Sequence, residues 1–250
     1  MPRCVAFASE LSKDDQSLTL SKAESHHIVR VLRSSHGQAV KVINGSGLIA
    51  ETELIDASPS QCQLKIRSIT SSDPAPYSLT FAPAVIKGKS MDNVIRMATE
   101  LGVSAIQPIH ARHGDVPLSA FDSGSKLDKW RTVAIEACKQ CENPWLPEIR
   151  SGLSFSDWLE NRGSDEALVF GSLETGARPF REWQSEFEDL LGAGKGFAVT
   201  LGPEGDFTSD EYAVMRKNGG FAVFLGRCIL RSETAAPALL AGLIATLPST

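Results

Sequence analysis

The chain has 250 residues, enough for one large domain or two unequal ones. Hydrophobic residues make up 42% and charged residues 22%, an ordinary globular balance, and no apolar run reaches the length a bilayer requires. The formal net charge of -5 excludes a protein that coats nucleic acid non-specifically, so any RNA contact must come from a local basic patch.

The first 70 residues read as short strands broken by turns. Residues 5–7 are apolar, and 39–43 run into Asn44-Gly45-Ser46-Gly47, which suits a tight hairpin because Asn and Gly tolerate positive φ. The return strand covers 48–54, 63–67 alternate apolar and polar residues, and a short helix is predicted over 21–32. Strands this closely spaced indicate a small barrel or barrel-like sheet. Two prolines among small polar residues at 71–76 form a stiff linker and place the domain boundary there.

Beyond the linker, strands and helices alternate. Residues 79–85 form a strand. Ser90 caps a helix with apolar positions at Val94, Ile95, Ala98 and Leu101, and Gly102 ends it. Residues 103–108 give the next strand, and 127–141 a helix with Trp130, Val133, Ala134 and Ala137 on one stripe. The runs 167–171, 197–201 and 221–225 are continuously apolar, as buried parallel strands should be. Thr208-Ser209-Asp210-Glu211 is a capping box opening a helix that stops near Asn218-Gly219. The last helix is expected to start near Thr234, with Pro237 in its first turn, where a missing N–H does no harm. The sum is an α/β domain with a mainly parallel sheet.

Five scattered cysteines do not describe a disulfide framework, and no apolar secretion signal opens the chain, so a cytoplasmic protein is expected. Cys138-Lys-Gln-Cys141 and His110-Ala-Arg-His113 are two weak pairs without the tight spacing of a structural zinc module, so no metal is expected.

Three loops follow three late strands, at the strand ends where open α/β sheets bind ligands. Leu201-Gly202-Pro203-Glu204-Gly205-Asp206-Phe207 exposes backbone groups that suit the edge of an adenine or a ribose, although Gly and Pro also punctuate a plain strand-to-helix turn. In the stretch from Leu225 to Ala235, Ile229 and Leu230 wall an apolar slot. Arg231, just ahead of a helix N-terminus, faces either phosphate or developing negative charge, or else makes a surface salt bridge. The third loop, 170–176, says little alone. No GxGxxG follows a strand, and Gly88-Lys89-Ser90 is preceded by Pro83 where a phosphate loop needs glycine. No Ser-His-Asp set stands in a nucleophile elbow.

The loops Leu201-Gly-Pro-Glu-Gly-Asp-Phe207 and Leu225-Gly-Arg-Cys-Ile-Leu-Arg-Ser-Glu-Thr-Ala235 resemble the signature loops of the RsmE family, the 16S rRNA uridine-N3 methyltransferases. The resemblance extends over nearly the whole chain. His26-His27-Ile28-Val29-Arg30-Val31-Leu32-Arg33 resembles the family's N-terminal segment. Thr99-Glu100-Leu101-Gly102-Val103, with Ile106 and Pro108, resembles its helix-to-strand passage. Trp130, Glu136, Ala137 and Gln140, with Pro147 beyond, resemble the next helix.

The resemblance implies a trefoil-knotted SPOUT methyltransferase domain over 73–250 and a small PUA-like, RNA-binding β-barrel over 1–72. It implies S-adenosylmethionine as cofactor, 16S rRNA in the 30S subunit as partner, and a homodimer whose site draws on both subunits; the lack of a bilayer-length apolar run is the ground for expecting no membrane association. Leu173; Leu201, Gly202, Pro203, Glu204 and Gly205; Leu225, Gly226, Ile229 and Leu230; and Thr234 and Ala235 would line the cofactor pocket. Asp206 stands where the family usually has a second glycine, implying a different turn after Glu204. Cys141-Glu142-Asn143-Pro144 stands where an arginine is common.

Methylating uridine N3 needs a base for its proton or a cation for the charge that develops. On this reading Arg231 stabilises the charge, and Glu204 or Glu233 is the base, the choice being open. His27, Arg30, Arg33, Lys87 and Arg112 are the RNA-contact candidates, with a solvated helix face as the equal alternative for Arg30 and Arg33. Two readings compete: an RNA-binding module without catalysis, and a knotted enzyme aimed at tRNA. Intact Gly202, Glu204, Gly205 and Arg231 weigh against the first, the N-terminal segment and the residues 231–235 against the second.

Overall fold

The structure, a computed structural model, describes residues 4–121 and 124–247. The chain divides into two compact units, Met1–Pro74 with Ile135–Leu146, and Ala75–Ala134 with Pro147–Thr250.

The first unit contains β1 (Val5–Phe7), β2 (Ser17–Thr19), α1 (Lys22–His26), a π-helical turn (His27–Val31), β3 (Ala39–Ile43), β4 (Leu48–Asp56) and β5 (Gln63–Ser71). Its sheet runs β1-β3-β4-β5-β2, parallel between β1 and β3 and antiparallel elsewhere. Alternate residues point inward, so Val40, Val42, Ala50, Leu54 and Leu64 share a core with Leu18, Leu20 and Ile28. The hairpin turn forms as its chemistry predicts: Asn44 Oδ1 accepts from the Ser46 and Leu48 N–H groups at 2.8 and 2.9 Å, and Gly45 takes φ +79. The helix expected over 21–32 is shorter and widens. Ser21 caps α1 through the Glu24 N–H, and the Leu32 N–H reaches back five residues to the His27 carbonyl at 3.0 Å.

Residues 135–146 join this unit for reasons of packing. Cys138 is buried with Val5 and Ile43, and the Gly47 N–H donates to the Pro144 carbonyl at 3.0 Å. Lys139, 5% exposed, sits between Glu24 at 2.8 Å and Glu136 at 2.7 Å. The domain boundary expected after residue 72 places the whole stretch in the second domain instead. A helical stripe shows that a face is buried but not which core it covers.

The second unit follows with β6 (Leu79–Pro83), α2 (Lys89–Glu100), β7 (Ala105–Ile106), β8 (Ile109–His110), α3 (Gly124–Cys141, of which 124–134 belong here), β9 (Glu148–Ile149), β10 (Leu153–Ser154), α4 (Phe155–Asn161), β11 (Glu166–Gly171), α5 (Gln184–Gly192), β12 (Gly196–Leu201), α6 (Ser209–Lys217), β13 (Phe221–Val223) and α7 (Ser232–Thr246). Six strands form one wholly parallel sheet, β13-β11-β12-β6-β7-β9, confirming the α/β reading. Successive strands step outward from β6 through β7 to β9, then reappear on the other side of β6, so the order reverses between β6 and β12. On one face α5 packs by Phe187, fully buried, with ring centroids 5.5 Å from Phe197 and 5.3 Å from Phe221. Among the described residues no helix is long and apolar enough to cross a membrane.

Three local expectations are corrected. Ser90 is not the cap of α2; Gly88 is, with φ +65, a conformation that serine adopts poorly, and Ser90 falls inside the first turn. The strand expected over 103–108 is only β7, 105–106, in the main sheet; Pro108 has no N–H to continue a ladder, and beyond it β8 pairs with β10 instead. Finally, α7 begins at Ser232, so Pro237 lies in its second turn and denies the Glu233 carbonyl its helical N–H. The capping box of α6 forms in both directions between Thr208 and Glu211.

Candidate active site

In the sheet order, β13, β11, β12 and β6 are neighbours and all point the same way, so the segments leaving their carboxyl ends converge. They enclose a cavity of about 480 Å³, within the usual range for a small-molecule site. Leu173, Leu201, Gly202, Pro203, Glu204, Leu225, Gly226, Ile229, Leu230, Arg231, Glu233 and Ala235, all expected there, line it. Two expected residues do not. Gly205 faces away: its carbonyl accepts from His113 Nδ1 at 3.0 Å, and a Cβ on it would meet the His113 Cβ at 3.0 Å. Thr234 is exposed, its N–H bonded to the Arg231 carbonyl in the opening turn of α7.

The cavity also takes in Cys228, within the 225–230 loop expected to line it, and Ile86, Ser90, Gly171, Ser172, Asp206, Tyr212 and Ser232, which sequence reasoning missed. Ile86 and Ser90 follow β6 and arrive only because β6 lies beside β12. Tyr212 looks like an ordinary core position of an amphipathic helix, and Ser172 belongs to the loop that says little by itself.

Backbone geometry makes the room. A Cβ on Gly202 would lie 3.0 Å from the Phe207 nitrogen and 3.0 Å from Asp206 Oδ1, and Gly226 takes φ +136. Asp206 adopts φ +61, so the turn after Glu204 has the left-handed conformation although no glycine stands there. Asp is among the few side chains that tolerate it, and here Oδ1 accepts from its neighbour's N–H, Phe207, at 2.8 Å.

The wall is mixed in character. Leu173 and Ile229 are 54% and 80% exposed, an apolar rim open to a bound group. Glu204 is exposed, Glu233 half-buried in the first turn of α7, and Arg231 stands exposed at that helix's N-cap. No ion pair among the described residues engages the Arg231 guanidinium. Apolar surface for a flat ring, a glycine floor and carboxylates suit a ligand that joins a nucleoside to a cationic group.

The remaining candidates are dispersed. Lys87 is bonded to Asp115 at 2.7 Å; that bond, with Glu204 adding, holds its ammonium above the ordinary lysine value. The Arg112 side chain is exposed while its N–H donates to Glu211 at 2.9 Å. His27, half-buried, and Arg30 and Arg33, both exposed, belong to the first unit, Arg33 with φ +56. Cys138 is buried and Cys141 exposed; burial and then Cys141 push the Cys138 thiol up to about 12. Among the described residues, no three His, Cys, Asp or Glu side chains group as metal ligands.

A family model described as an RNA methyltransferase domain matches residues 73–244, and one described as an RNA methyltransferase PUA domain matches 20–67. Ribosomal RNA small subunit methyltransferase E of Synechocystis sp. is 29% identical over 235 residues, covering 94% of this chain and 75% of that protein. The Bacillus subtilis protein of the same name is 26% identical over 232 residues, covering 92% and 91%. Two solved structures share the fold over nearly the full length. A protein from Legionella pneumophila described as a methyltransferase, in complex with the bound cofactor SAM, gives a TM-score of 0.87 at 24% identity and 98% coverage of both chains. Ribosomal RNA small subunit methyltransferase E from Neisseria gonorrhoeae, bound to S-adenosyl methionine, gives 0.82 at 23% identity and 97% coverage of both. The chain belongs to the RNA methyltransferase domain family, with the PUA domain of RNA methyltransferases ahead of the matched domain.

Proposed function

We propose that this protein transfers a methyl group from S-adenosylmethionine to N3 of a uridine in the 16S rRNA of the small ribosomal subunit, in the cytoplasm. The observation that carries this reading is the cavity, built by glycine-bearing loops at the ends of adjacent parallel strands with Arg231 and two glutamates on its wall. The likeness to relatives called small subunit methyltransferase E supports the choice of RNA. The reading includes a trefoil knot in the domain over 73–250, an RNA-binding PUA-like barrel over 1–72, and a homodimer. The apolar rim of Leu173 and Ile229 supports closure of the site by a second subunit.

When bound, S-adenosylmethionine supplies an electrophilic methyl group on a sulfonium. Gly202 and Gly226 let the backbone approach it, Leu201, Leu225, Ile229 and Leu230 exclude water, and Glu204 and Glu233 set a negative wall against its positive charge. Arg231, at the positive end of α7, stabilises the charge that grows on the uracil carbonyls as N3 loses its proton. Glu204 or Glu233 accepts that proton. Arg112 and Lys87 hold phosphates beside the site, Lys87 more weakly because Asp115 shares its charge, while His27, Arg30 and Arg33 serve the N-terminal domain's RNA contact.

Arg231→Ala tests the assignment. Turnover should fall by about 10²–10³, as for other lost charge-stabilising donors, with cofactor affinity kept. Unchanged turnover removes Arg231 from the chemistry. Glu204→Gln and Glu233→Gln, compared by the pH dependence of turnover, decide which carboxylate is the base.

A further inference from the structure

Asp206 does more than tolerate its left-handed turn. The Oδ1 that accepts from Phe207 also accepts from the Tyr212 hydroxyl at 2.7 Å. Tyr212 is 2% exposed, with ring centroids 5.7 Å from Phe207 and 5.8 Å from Phe170, so its ring has one place to sit. Its oxygen also lies 3.5 Å from the carbonyl of Gly171, the last residue of β11. One hydroxyl therefore stands where the end of β11 meets the loop after β12, and both line the cavity. Burial, then the bond to Asp206, raises the phenol well above its ordinary value, so it remains a donor across the working range.

The two residues suit each other. Glycine at 206 supplies the same backbone but leaves a buried hydroxyl without its charged acceptor; phenylalanine at 212 leaves the carboxylate with the Phe207 N–H alone.

We infer that Asp206 and Tyr212 form a positioning pair that holds the 202–206 loop, beside the end of β11, in the shape that takes the cofactor. The inference rests on assigning the cavity to S-adenosylmethionine. The pair touches no reacting atom and acts through the loop, so its effect belongs to cofactor binding more than to the transfer step.

The test compares wild type with Asp206→Gly, Asp206→Asn, Tyr212→Phe and the Asp206→Gly/Tyr212→Phe double variant. Calorimetric titration with S-adenosylmethionine is read beside amide exchange at Phe207 in the unliganded protein. Each of Asp206→Gly and Tyr212→Phe should weaken binding about tenfold, the loss expected for one hydrogen bond to a charged group. The double variant should be no worse than either single one, because both remove the same bond. Asp206→Asn, which keeps an acceptor and the left-handed turn, should recover most of the affinity. The loss should fall on KM for the cofactor more than on kcat, and the Phe207 amide should exchange faster in Asp206→Gly. Wild-type affinity in both single variants, or losses that add fully in the double variant, overturns the positioning pair. A fall in kcat alone overturns it too and puts Asp206 in the chemistry. If wild type itself does not bind S-adenosylmethionine, the cofactor assignment fails, and Phe207 exchange in the unliganded variants still decides whether the pair holds the loop.

Discussion

Adding a single methyl group at Gly202 tests the geometry of the cavity floor. The new Cβ would meet the Phe207 nitrogen and Asp206 Oδ1 at 3.0 Å and the Asp206 carbonyl carbon at 3.2 Å. Two of these atoms are backbone, the third is held by two hydrogen bonds, and Phe207, 4% exposed, is packed from behind. No loose side-chain end stands ready to step aside, so the loop itself must shift by a few tenths of an ångström. Overpacking of this kind costs about 1–3 kcal/mol. At about 2–4 °C per kcal/mol for a domain of this size, Gly202→Ala should melt between about 2 and 12 °C below wild type. The displaced backbone lines the cavity, so cofactor affinity should fall about tenfold or more, each tenfold corresponding to about 1.4 kcal/mol. Thermal unfolding and calorimetric titration read the two effects separately. Wild-type melting together with wild-type affinity would refute the close packing of this loop.

Further outcomes follow from the same structure. Thr208→Ala removes the hydroxyl that accepts from the Glu211 N–H, while the residue-208 N–H can still donate to Glu211, and should cost about 0.5–2 kcal/mol in denaturant unfolding; no loss would mean the hydroxyl does not cap the helix in solution. Lys139→Ala leaves Glu24, 12% exposed on its side chain, without its cation and should destabilise the chain by about 3–5 kcal/mol; a surface-like loss below about 1 kcal/mol would contradict the buried pair. The Cys138 thiol, pushed from 9.0 to about 12, makes stability constant below pH 9 and falling above it, because the unfolded chain gives up the proton first. Cys138→Ala should flatten that alkaline slope in denaturant unfolding, and an unaltered slope would discount the thiol. A thiol reagent should label exposed Cys141 and Cys228 quickly and reach buried Cys62 and Cys138 only on unfolding; fast labelling of Cys138 would contradict its burial.

Much of the α/β frame is legible in the sequence because buried parallel strands carry no polar face, and the runs at 167–171 and 197–201 have none. The Asn44 turn and the Thr208 capping box are equally legible, since each is a local bond between side chain and backbone. What escapes is whatever depends on strand order. Ile86 and Ser90 reach the cavity because β6 neighbours β12, and no periodicity encodes that adjacency. Tyr212 escapes for a different reason: its ring packs like any core residue while only its oxygen takes part in the site. Gly205 misleads in the opposite sense, because a glycine in a binding loop can face a neighbouring loop, here at His113, instead of the ligand. At Gly88, backbone conformation outweighed the usual preference for serine at a helix start.

Methyl transfer itself gives the most direct test. Tritiated S-adenosylmethionine is supplied with the protein to 30S subunits lacking the modification, with free 16S rRNA and tRNA in parallel, and the labelled nucleosides are identified. The predicted result is label in 3-methyluridine from 30S subunits. Label confined to tRNA, or no label in any RNA, would contradict it.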